Sequence, residues 1–147
     1  MRYLLLLALV PTLVGADRTT ELSAYVNEFY SHFPDAKRIE TMILTEENFP
    51  TVKDKLTRTN RRAHGTCYVG LAQINLTFWK KANEWQKRKV VFHELGHCAY
   101  QLSHTKDPFA FSIMNSVLWT VDDEGKNWPA LVKELKTRVK KFGVRPL

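Results

Sequence analysis

The sequence predicts one α+β domain in which a small mixed sheet packs on a long active-site helix, with an amphipathic helix at each end. Three observations support this fold class. The proline-free run Trp85–Leu102 carries apolar residues over a wide helical face. The apolar run Ile39–Leu44 has the length of one strand, and the run Cys67–Phe78 has the length of one or two strands. The chain of 147 residues is 44% hydrophobic and 25% charged, which is typical of a globular domain with a sizeable core.

The first 16 residues have the layout of a secretory signal peptide. A short basic start, Met1-Arg2, precedes the uninterrupted apolar run Tyr3–Val10, and small residues lead to a cleavage site after Ala16. The apolar run is too short to span a bilayer comfortably, although an uncleaved membrane tether is the alternative. We therefore expect residues 17–147 to form a single domain that is secreted or periplasmic.

The remaining elements follow from periodicity and capping signals. An amphipathic helix is predicted over Thr20–His32, ending before Pro34. Residues 45–65 are polar, with one weak helical patch at Val52–Leu56. Asn127 is the predicted cap of a final helix, Trp128–Phe142, whose apolar stripe belongs to the core. A capping box formed by Asn83 and Gln86 predicts where the long central helix begins.

The most informative motif, His93-Glu94-Leu95-Gly96-His97, lies on this central helix. Two histidines four residues apart share one helical face and can reach one zinc ion at about 2.0–2.1 Å. Glu94 is rotated by about 100°, close enough to take a proton from zinc-bound water without being a ligand. The motif predicts hydrolysis of peptide bonds with one Zn²⁺ and with Glu94 as general base. The alternative is a pair of surface histidines beside a solvated glutamate.

A catalytic zinc needs a third protein ligand, and His104 is the first candidate. A straight helix would place His104 roughly 16 Å along the axis from His93, so the helix must break around Tyr100–Ser103. Such a break needs a left-handed residue, which costs about 1–2 kcal/mol when it is not glycine. Three other side chains are alternative third ligands: Asp107, Glu124 and, more remotely, His64.

The segment HELGHCAYQLSH followed by Ser112-Ile113-Met114-Asn115 resembles the zinc helix and Met-turn of the metzincin metallopeptidases. The resemblance implies His93, His97 and His104 as ligands, Glu94 as base and Met114 beneath the ligands. The third histidine comes one residue later than in HExxHxxGxxH, and the glycine is absent. Residues 65–116 also resemble small uncharacterised bacterial and phage-type metallopeptidases. Met114 as an ordinary core methionine is the alternative.

The same resemblance implies a substrate-binding strand ahead of the zinc helix. The backbone of Gln73–Phe78 would bind an extended peptide by strand addition. An interior strand without a free edge is the alternative. The expected contact residues are Gln73, Ile74, Asn75 and Leu76.

The two cysteines of an exported chain suggest a disulfide between Cys67 and Cys98. Such a bond would stabilise the fold by roughly 3–4 kcal/mol and would join a strand to the zinc helix. Two buried free thiols are the alternative.

The net charge of +7 permits weak contact with anionic surfaces, although basic clusters are usually solvated. The sequence carries no recognisable nucleic-acid-binding motif, so we expect a peptide or protein substrate, no nucleic acid, and a monomer. A function of another class, a secreted zinc-binding or surface-binding module without catalysis, is the alternative.

Overall fold

The computed structural model describes residues 16–54, 58–107, 110–116 and 127–144, with side chains described from residue 20 onward. This part of the chain combines helices with short strands, so the predicted α+β class is confirmed. Its elements follow in the order α1 (Ala16–His32), β1 (Glu40–Leu44), a 3₁₀ turn (Glu46–Asn48), β2 (Thr51–Lys53), β3 (Asn60–Arg62), β4 (Gly65–Tyr68), β5 (Leu71–Asn75), α2 (Leu76–Lys81), α3 (Glu84–Tyr100) and α4 (Trp128–Phe142).

The main sheet is mixed and has the strand order β1-β5-β4. Strand β5 runs parallel to β1, with Ile43 opposite Ile74, and antiparallel to β4, with Cys67 opposite Ala72. A separate antiparallel hairpin joins β2 to β3. The sheet contacts α3 through β4 and β5.

The turn between β4 and β5 consists of Val69 and Gly70, both with positive φ (49° and 76°). Two consecutive left-handed residues form the turn whose twist matches antiparallel strands. Glycine adopts this conformation without strain, whereas a β-branched valine rarely does. Val69 is also 87% exposed.

One hydrophobic core connects α1, α3 and α4 with the sheet. Its centre is aromatic, since Phe29 stacks on Phe33 and meets the edge of Phe92, which in turn meets Trp128. These contacts hold α3 between the two terminal helices, and they leave the opposite side of α3 for the sheet.

The run Cys67–Phe78, predicted as one or two strands, belongs to two strands, because the chain turns at Val69 and Gly70. The prediction was wrong only at the end of the run, since β5 ends at Asn75. The Asn75 carboxamide oxygen accepts hydrogen bonds from the backbone N–H groups of Thr77 and Phe78, so it caps α2. Leu76 is consequently the first residue of a helix.

The prediction that Gln73, Ile74, Asn75 and Leu76 form an edge strand was also wrong. Strand β5 lies in the middle of the sheet, and both of its sides are hydrogen bonded to neighbouring strands. A strand paired on both sides has no backbone groups left for an added peptide. Leu76 lies outside the strand altogether.

The predicted helical patch at Val52–Leu56 was wrong where it can be compared. Val52 lies in β2 opposite Arg61, so pairing with a strand eight to ten residues later prevails over a weak local helical preference. Residues 55–57 lie outside the described residues, as do residues 1–15 of the predicted signal peptide. No helix in the described ranges is long and apolar enough to cross a membrane.

Candidate metal centre

Helix α3 begins at a capping box. The Asn83 side chain accepts from the Gln86 backbone N–H (2.9 Å), and the Gln86 side chain accepts from the Asn83 backbone N–H (3.0 Å). The predicted capping box is therefore confirmed. Its two residues are close in sequence, so the sequence pattern was sufficient to predict it. The box fixes the start of the helix two turns before His93.

The helix ends at Gln101, which has a left-handed conformation with φ of 55°. Its backbone N–H donates to the carbonyl of His97 (2.9 Å), and the N–H of Leu102 donates to the carbonyl of Gly96 (3.3 Å). These bonds turn the chain back over the last turn of α3. The expected non-glycine break is therefore present, and it returns His104 to the helix.

The structure brings His93, His97 and His104 together through their Nε2 atoms. The Nε2–Nε2 distances are 3.1 Å between His93 and His97, and 3.0 Å from each to His104. Nitrogen ligands placed tetrahedrally at about 2.0–2.1 Å from an ion are about 3.3 Å apart. The observed distances are close to that value, so this group could hold a metal ion.

Hydrogen bonds on the far side of two rings explain why a cation fits here. The carbonyl of Ile113 accepts from Nδ1 of His93 (2.7 Å), and the carbonyl of Leu102 accepts from Nδ1 of His97. A carbonyl can only accept, so each neutral ring carries its hydrogen on Nδ1 and a lone pair on Nε2. Two converging lone pairs repel each other unless a cation or a proton lies between them.

Burial keeps these rings neutral. It lowers the pKa of His93 well below its ordinary value, and it also lowers the pKa of His97. The neighbouring rings of His97 and His104 lower the pKa of His93 further, because positive charge on either of them would repel a proton on His93. Neutral imidazoles are the protonation state that metal coordination requires.

Met114 lies directly beneath the helix that carries the histidines. It is fully buried, and a Cβ atom added at Gly96 would be only 2.7 Å from its sulfur. Its carbonyl accepts from the backbone N–H of Thr105 (3.0 Å), which ties this turn to the segment carrying His104. Met114 also belongs to the hydrophobic core, so its role as a Met-turn residue beneath the ligands stays a prediction.

Two residues that the sequence did not single out support this turn. The Ser112 hydroxyl accepts from the Met114 backbone N–H (3.1 Å) and donates to the Glu134 carboxylate on α4 (2.8 Å). This turn also positions the Ile113 carbonyl, which orients His93. Ser112 lies beside Met114 in sequence, but nothing in the sequence pointed to Glu134.

Glu94 faces the same cavity as the three histidines. Its side chain is 4% exposed, and burial raises the pKa of its carboxyl group to about 8. A Cβ atom added at Gly65 on β4 would lie 2.7 Å from Cγ and Oε1 of Glu94. The glycine therefore leaves the space that the carboxyl group occupies, a role the sequence did not reveal.

The cavity has a volume of about 640 Å³. It is lined by residues of α3, of β4 and of the β2–β3 hairpin, and by Gln101 and Asn115. A volume of this size is typical of sites that bind small ligands or short peptide segments.

The disulfide between Cys67 and Cys98 is present, as predicted, with its Cα atoms 5.4 Å apart. It joins β4 to α3 at the residue that follows His97. Cys67 lines the cavity, and its bond to Cys98 fixes the distance between strand and helix.

Two of the three alternative third ligands, Asp107 and His64, are described by the structure, and neither joins the group. Among the described residues, the candidate metal group contains the three histidines and not Asp107. His64 instead stacks on the ring of Phe78, with centroids 4.3 Å apart. Glu124 lies outside the described residues.

The site thus combines three imidazole nitrogen donors, two of them on rings that burial keeps neutral, with a buried carboxyl group at a single cavity. Such a set can bind a divalent transition metal and can move a proton beside it. No protein-family model matches the chain, and neither a curated protein nor a solved structure is significantly similar to it.

Proposed function

We propose that the protein is a zinc-dependent endopeptidase of metzincin-like type. The observation that carries this proposal is the convergence of three histidine Nε2 atoms within 3.0–3.1 Å beside the buried carboxyl group of Glu94. This is the combination that hydrolysis of an amide requires: a metal centre and a group that accepts a proton and then donates it.

Zinc is the metal that best suits the donors. Three imidazole ligands facing a cavity leave a coordination position open, which is the pattern of catalytic zinc sites. When bound, zinc would lower the pKa of a water ligand toward about 7 and polarise the substrate carbonyl. The carbonyls of Ile113 and Leu102 orient two of the imidazoles for this purpose.

Glu94 would act as the general base and then as the general acid. Its carboxylate takes a proton from the attacking water and delivers it to the leaving amine. Burial alone raises the pKa of Glu94 to about 8, and a nearby cation lowers the pKa of a carboxyl group. The two opposing effects bring the pKa toward neutrality, where a group can accept and release a proton with equal ease.

Strand β4 is the edge to which an extended substrate would bind. It is the outer strand of the sheet, and Gly65 and Thr66 line the cavity. A peptide added to its outer side would place a backbone carbonyl near Glu94 through main-chain hydrogen bonds. In this arrangement β4 takes the role that the sequence assigned to β5.

The second candidate function is a zinc-binding module without catalysis. The three converging histidines are sufficient for this function, because holding an ion requires the nitrogen donors alone and no proton transfer by Glu94. Turnover by the metal-loaded protein separates the two candidates.

The test measures zinc content and peptide hydrolysis in the wild type, Glu94→Gln and His104→Ala. His32→Ala, a change on α1 away from the cavity, is the control. We expect one zinc per chain in the wild type, Glu94→Gln and His32→Ala, and loss of zinc from His104→Ala. Glu94→Gln should lower turnover by at least about 100-fold.

Two results would contradict the proposal in different ways. Equal turnover by Glu94→Gln and the wild type would exclude Glu94 as the base. Failure of the reconstituted wild type to bind zinc would exclude the metal site itself. Zinc binding without Glu94-dependent hydrolysis of any peptide would leave the non-catalytic module.

We also propose that the protein is exported after cleavage behind Ala16. The disulfide supports this, because such bonds persist in oxidising compartments outside the cytosol. N-terminal sequencing of protein collected outside the cytosol should begin at Asp17. Recovery of chains that begin at Met1 would contradict cleavage.

A further inference from the structure

The three long helices of the domain end on the same side of the molecule. Phe33, which directly follows α1, packs its ring against that of Tyr100, the last residue of α3 (centroids 5.8 Å apart). The backbone N–H of Val144, just beyond α4, donates to the carbonyl of Tyr100 (3.0 Å). The C-terminal ends of α1, α3 and α4 therefore meet around one residue.

The turn between β4 and β5 lies on this side as well. Cys98, in the last turn of α3, is bonded to Cys67 on β4. Tyr68 and Val69 follow Cys67 directly, so the hairpin turn stands next to the end of α3. The disulfide thus holds this turn at the end of the molecule where the helices terminate.

Exposed apolar side chains are concentrated at this end. Among the described residues, five large hydrophobic side chains are more than half exposed. Four of them lie on the segments just described, namely Tyr68, Val69, Phe142 and Val144. The fifth, Phe111, adjoins Ser112, which bonds to Glu134 in the middle of α4. Apolar residues scattered singly over a surface are normal, whereas a concentration of them marks a surface that contacts a partner.

Basic residues surround these apolar side chains. Lys37 and Arg38 are exposed just ahead of β1, whose first residue, Glu40, pairs with Leu71 beside the hairpin turn. The exposed basic residues in the last turns of α4 are Lys136, Lys140 and Lys141. These five cations share the region with two exposed carboxylates, Asp35 and Glu40, so its charge is positive. We call residues 35–40, 68–71 and 136–144 the helix-end surface.

The conformation of Val69 indicates that its side chain has a role outside the fold. It combines a φ of 49° with 87% exposure, so no packing offsets the strain of a β-branched residue in the left-handed region. Strain of this kind persists at functional positions. Asparagine before glycine is the pair that favours such a turn. An apolar residue kept at this tip is therefore better explained by contact with a partner.

Phe142 combines apolar area with positive charge. Its ring centroid is 5.1 Å from the Lys141 ammonium nitrogen and 5.8 Å from the central guanidinium carbon of Arg138. Lysines in the last turn of a helix also offset its dipole, but that role does not require an exposed phenylalanine beside them. Aromatic rings flanked by cations are typical of segments that lie at the surface of an anionic membrane.

We propose that the helix-end surface binds a bilayer that contains anionic phospholipids. Val69 and Phe142 would enter the interface, and the surrounding lysines and Arg38 would contact the headgroup phosphates. The apolar side chains stand on separate segments, and separate projections can enter one planar interface. A stable protein partner instead buries a continuous patch of about 800 Å². The inference goes beyond the proposed peptidase function and does not depend on it.

The test measures sedimentation of the protein with unilamellar vesicles. One set consists of phosphatidylcholine, and the other also contains phosphatidylglycerol. The chain begins at Asp17, so that the apolar run Tyr3–Val10 cannot contribute, and it retains all of the described fold except the first residue of α1. We expect at least about tenfold tighter binding to the anionic vesicles, because each cation near such a surface contributes about fivefold. Added salt should weaken this binding.

Three variants examine the two components of the surface. Val69→Asn and Phe142→Ser should each lower binding to the anionic vesicles by at least about tenfold, because each removes a side chain that the interface would bury. Val69→Asn introduces the residue that the turn favours, so its urea unfolding midpoint should not fall. Lys140→Gln/Lys141→Gln should lower binding by at least about tenfold through lost charge.

Each type of variant has a matched control. Lys80→Gln/Lys81→Gln removes the same charge from α2, which follows the end of β5 remote from the hairpin turn. Phe111→Ser removes an equally large exposed ring from a position outside the helix-end surface. Both controls should bind the anionic vesicles within about twofold of the wild type, since exposed charges and rings away from the contact contribute little.

Three results would overturn the inference. The first is equal binding to the neutral and the anionic vesicles by the wild type. The second is undiminished binding by Val69→Asn and Phe142→Ser together with loss in Lys140→Gln/Lys141→Gln, which would indicate a site for soluble polyanions. The third is an equal loss in the control variants, which would indicate attraction by net charge alone.

Hydrolysis of a soluble peptide in the absence of vesicles keeps the two proposals apart. Val69→Asn and Phe142→Ser should retain the turnover of the wild type, because neither residue lines the cavity. If no peptide is hydrolysed but the vesicle results are as expected, the peptidase function fails and membrane binding stands. If turnover depends on Glu94 but vesicle binding does not depend on Val69 and Phe142, only the inference fails.

Discussion

Gly65 is the residue whose substitution should separate catalysis from metal binding. A Cβ atom at this position would lie 2.7 Å from the Glu94 side chain, so Gly65→Ala must displace the carboxyl group. A displacement of about 1 Å in a catalytic group lowers rates by about 100-fold. We therefore expect Gly65→Ala to lose most peptide hydrolysis while it retains one zinc per chain.

Zinc analysis and peptide turnover check this expectation together. Tyr68→Phe, a change at an exposed position of the same strand, is the control and should behave like the wild type. Full activity in Gly65→Ala would show that peptide hydrolysis does not require the Glu94 carboxyl group in the position that the structure gives it.

At the residue scale, the sequence predicted the parts of the site that share one helix. His93, Glu94 and His97 are related by helical periodicity, so their spacing alone predicts their relative directions. The neighbours of these residues come from distant segments. Gly65 on β4 approaches Glu94, and Glu134 on α4 bonds to Ser112 in the turn whose carbonyl orients His93, and no local pattern predicts either contact.

At the scale of elements, α4 supports the metal-binding group through Ser112. The Ser112 hydroxyl bonds both to the Met114 backbone and to the Glu134 carboxylate, and the same turn presents the carbonyl that orients His93. Residues that orient metal ligands in this way affect metal affinity by about 10–100-fold. We expect Ser112→Ala to weaken zinc binding by a factor in this range.

Competition with a chromophoric chelator measures this affinity. Thr137→Ala removes a hydroxyl that bonds only to its own helix, at the Lys133 carbonyl, and should leave zinc affinity unchanged. An unaltered affinity in Ser112→Ala would mean that α4 does not support the site.

The disulfide couples two elements that local interactions alone would hold less firmly. It encloses the chain from Cys67 to Cys98, a separation of 31 residues. Removing a disulfide that closes a loop of this length lowers the free energy of unfolding of the protein by about 3–4 kcal/mol. We expect the double variant Cys67→Ser/Cys98→Ser to be destabilised by this amount in urea unfolding, and an unchanged midpoint would argue against a role in stability.

Elements defined by local signals were predicted better than elements defined by pairing. The capping box at Asn83 and the end of α1 at His32 follow from neighbouring residues. The β2–β3 hairpin and the central place of β5 depend on contacts between distant residues. The end of β5 did carry a signal, because Asn75 is a favourable helix cap, but the apolar residues after it indicated a longer strand.

At the scale of the whole molecule, metal binding should raise the free energy of unfolding and the Tm. A ligand that binds the native state at 100 times its Kd contributes about 2.7 kcal/mol. In a domain of this size that corresponds to roughly 10 °C in Tm. We expect chelation of zinc to lower the Tm of the wild type by this amount and to leave the Tm of His104→Ala unchanged.

Calorimetric scans with and without EDTA provide the measurement. A Tm that is insensitive to the chelator, in protein shown to contain zinc beforehand, would contradict the expected coupling between metal and fold.

The overall α+β class was predictable because it depends on element type, whereas the strand order depends on which segments meet.

The donors of the metal group all lie within residues 93–104, with only the reversal at Gln101 between helix and last ligand. Closing so short a segment requires little chain entropy. During folding, the donors can therefore gather around a cation before the sheet has formed. The same proximity would give the unfolded chain some affinity for metal, so a bound metal would act on the kinetics of folding as well as on its equilibrium.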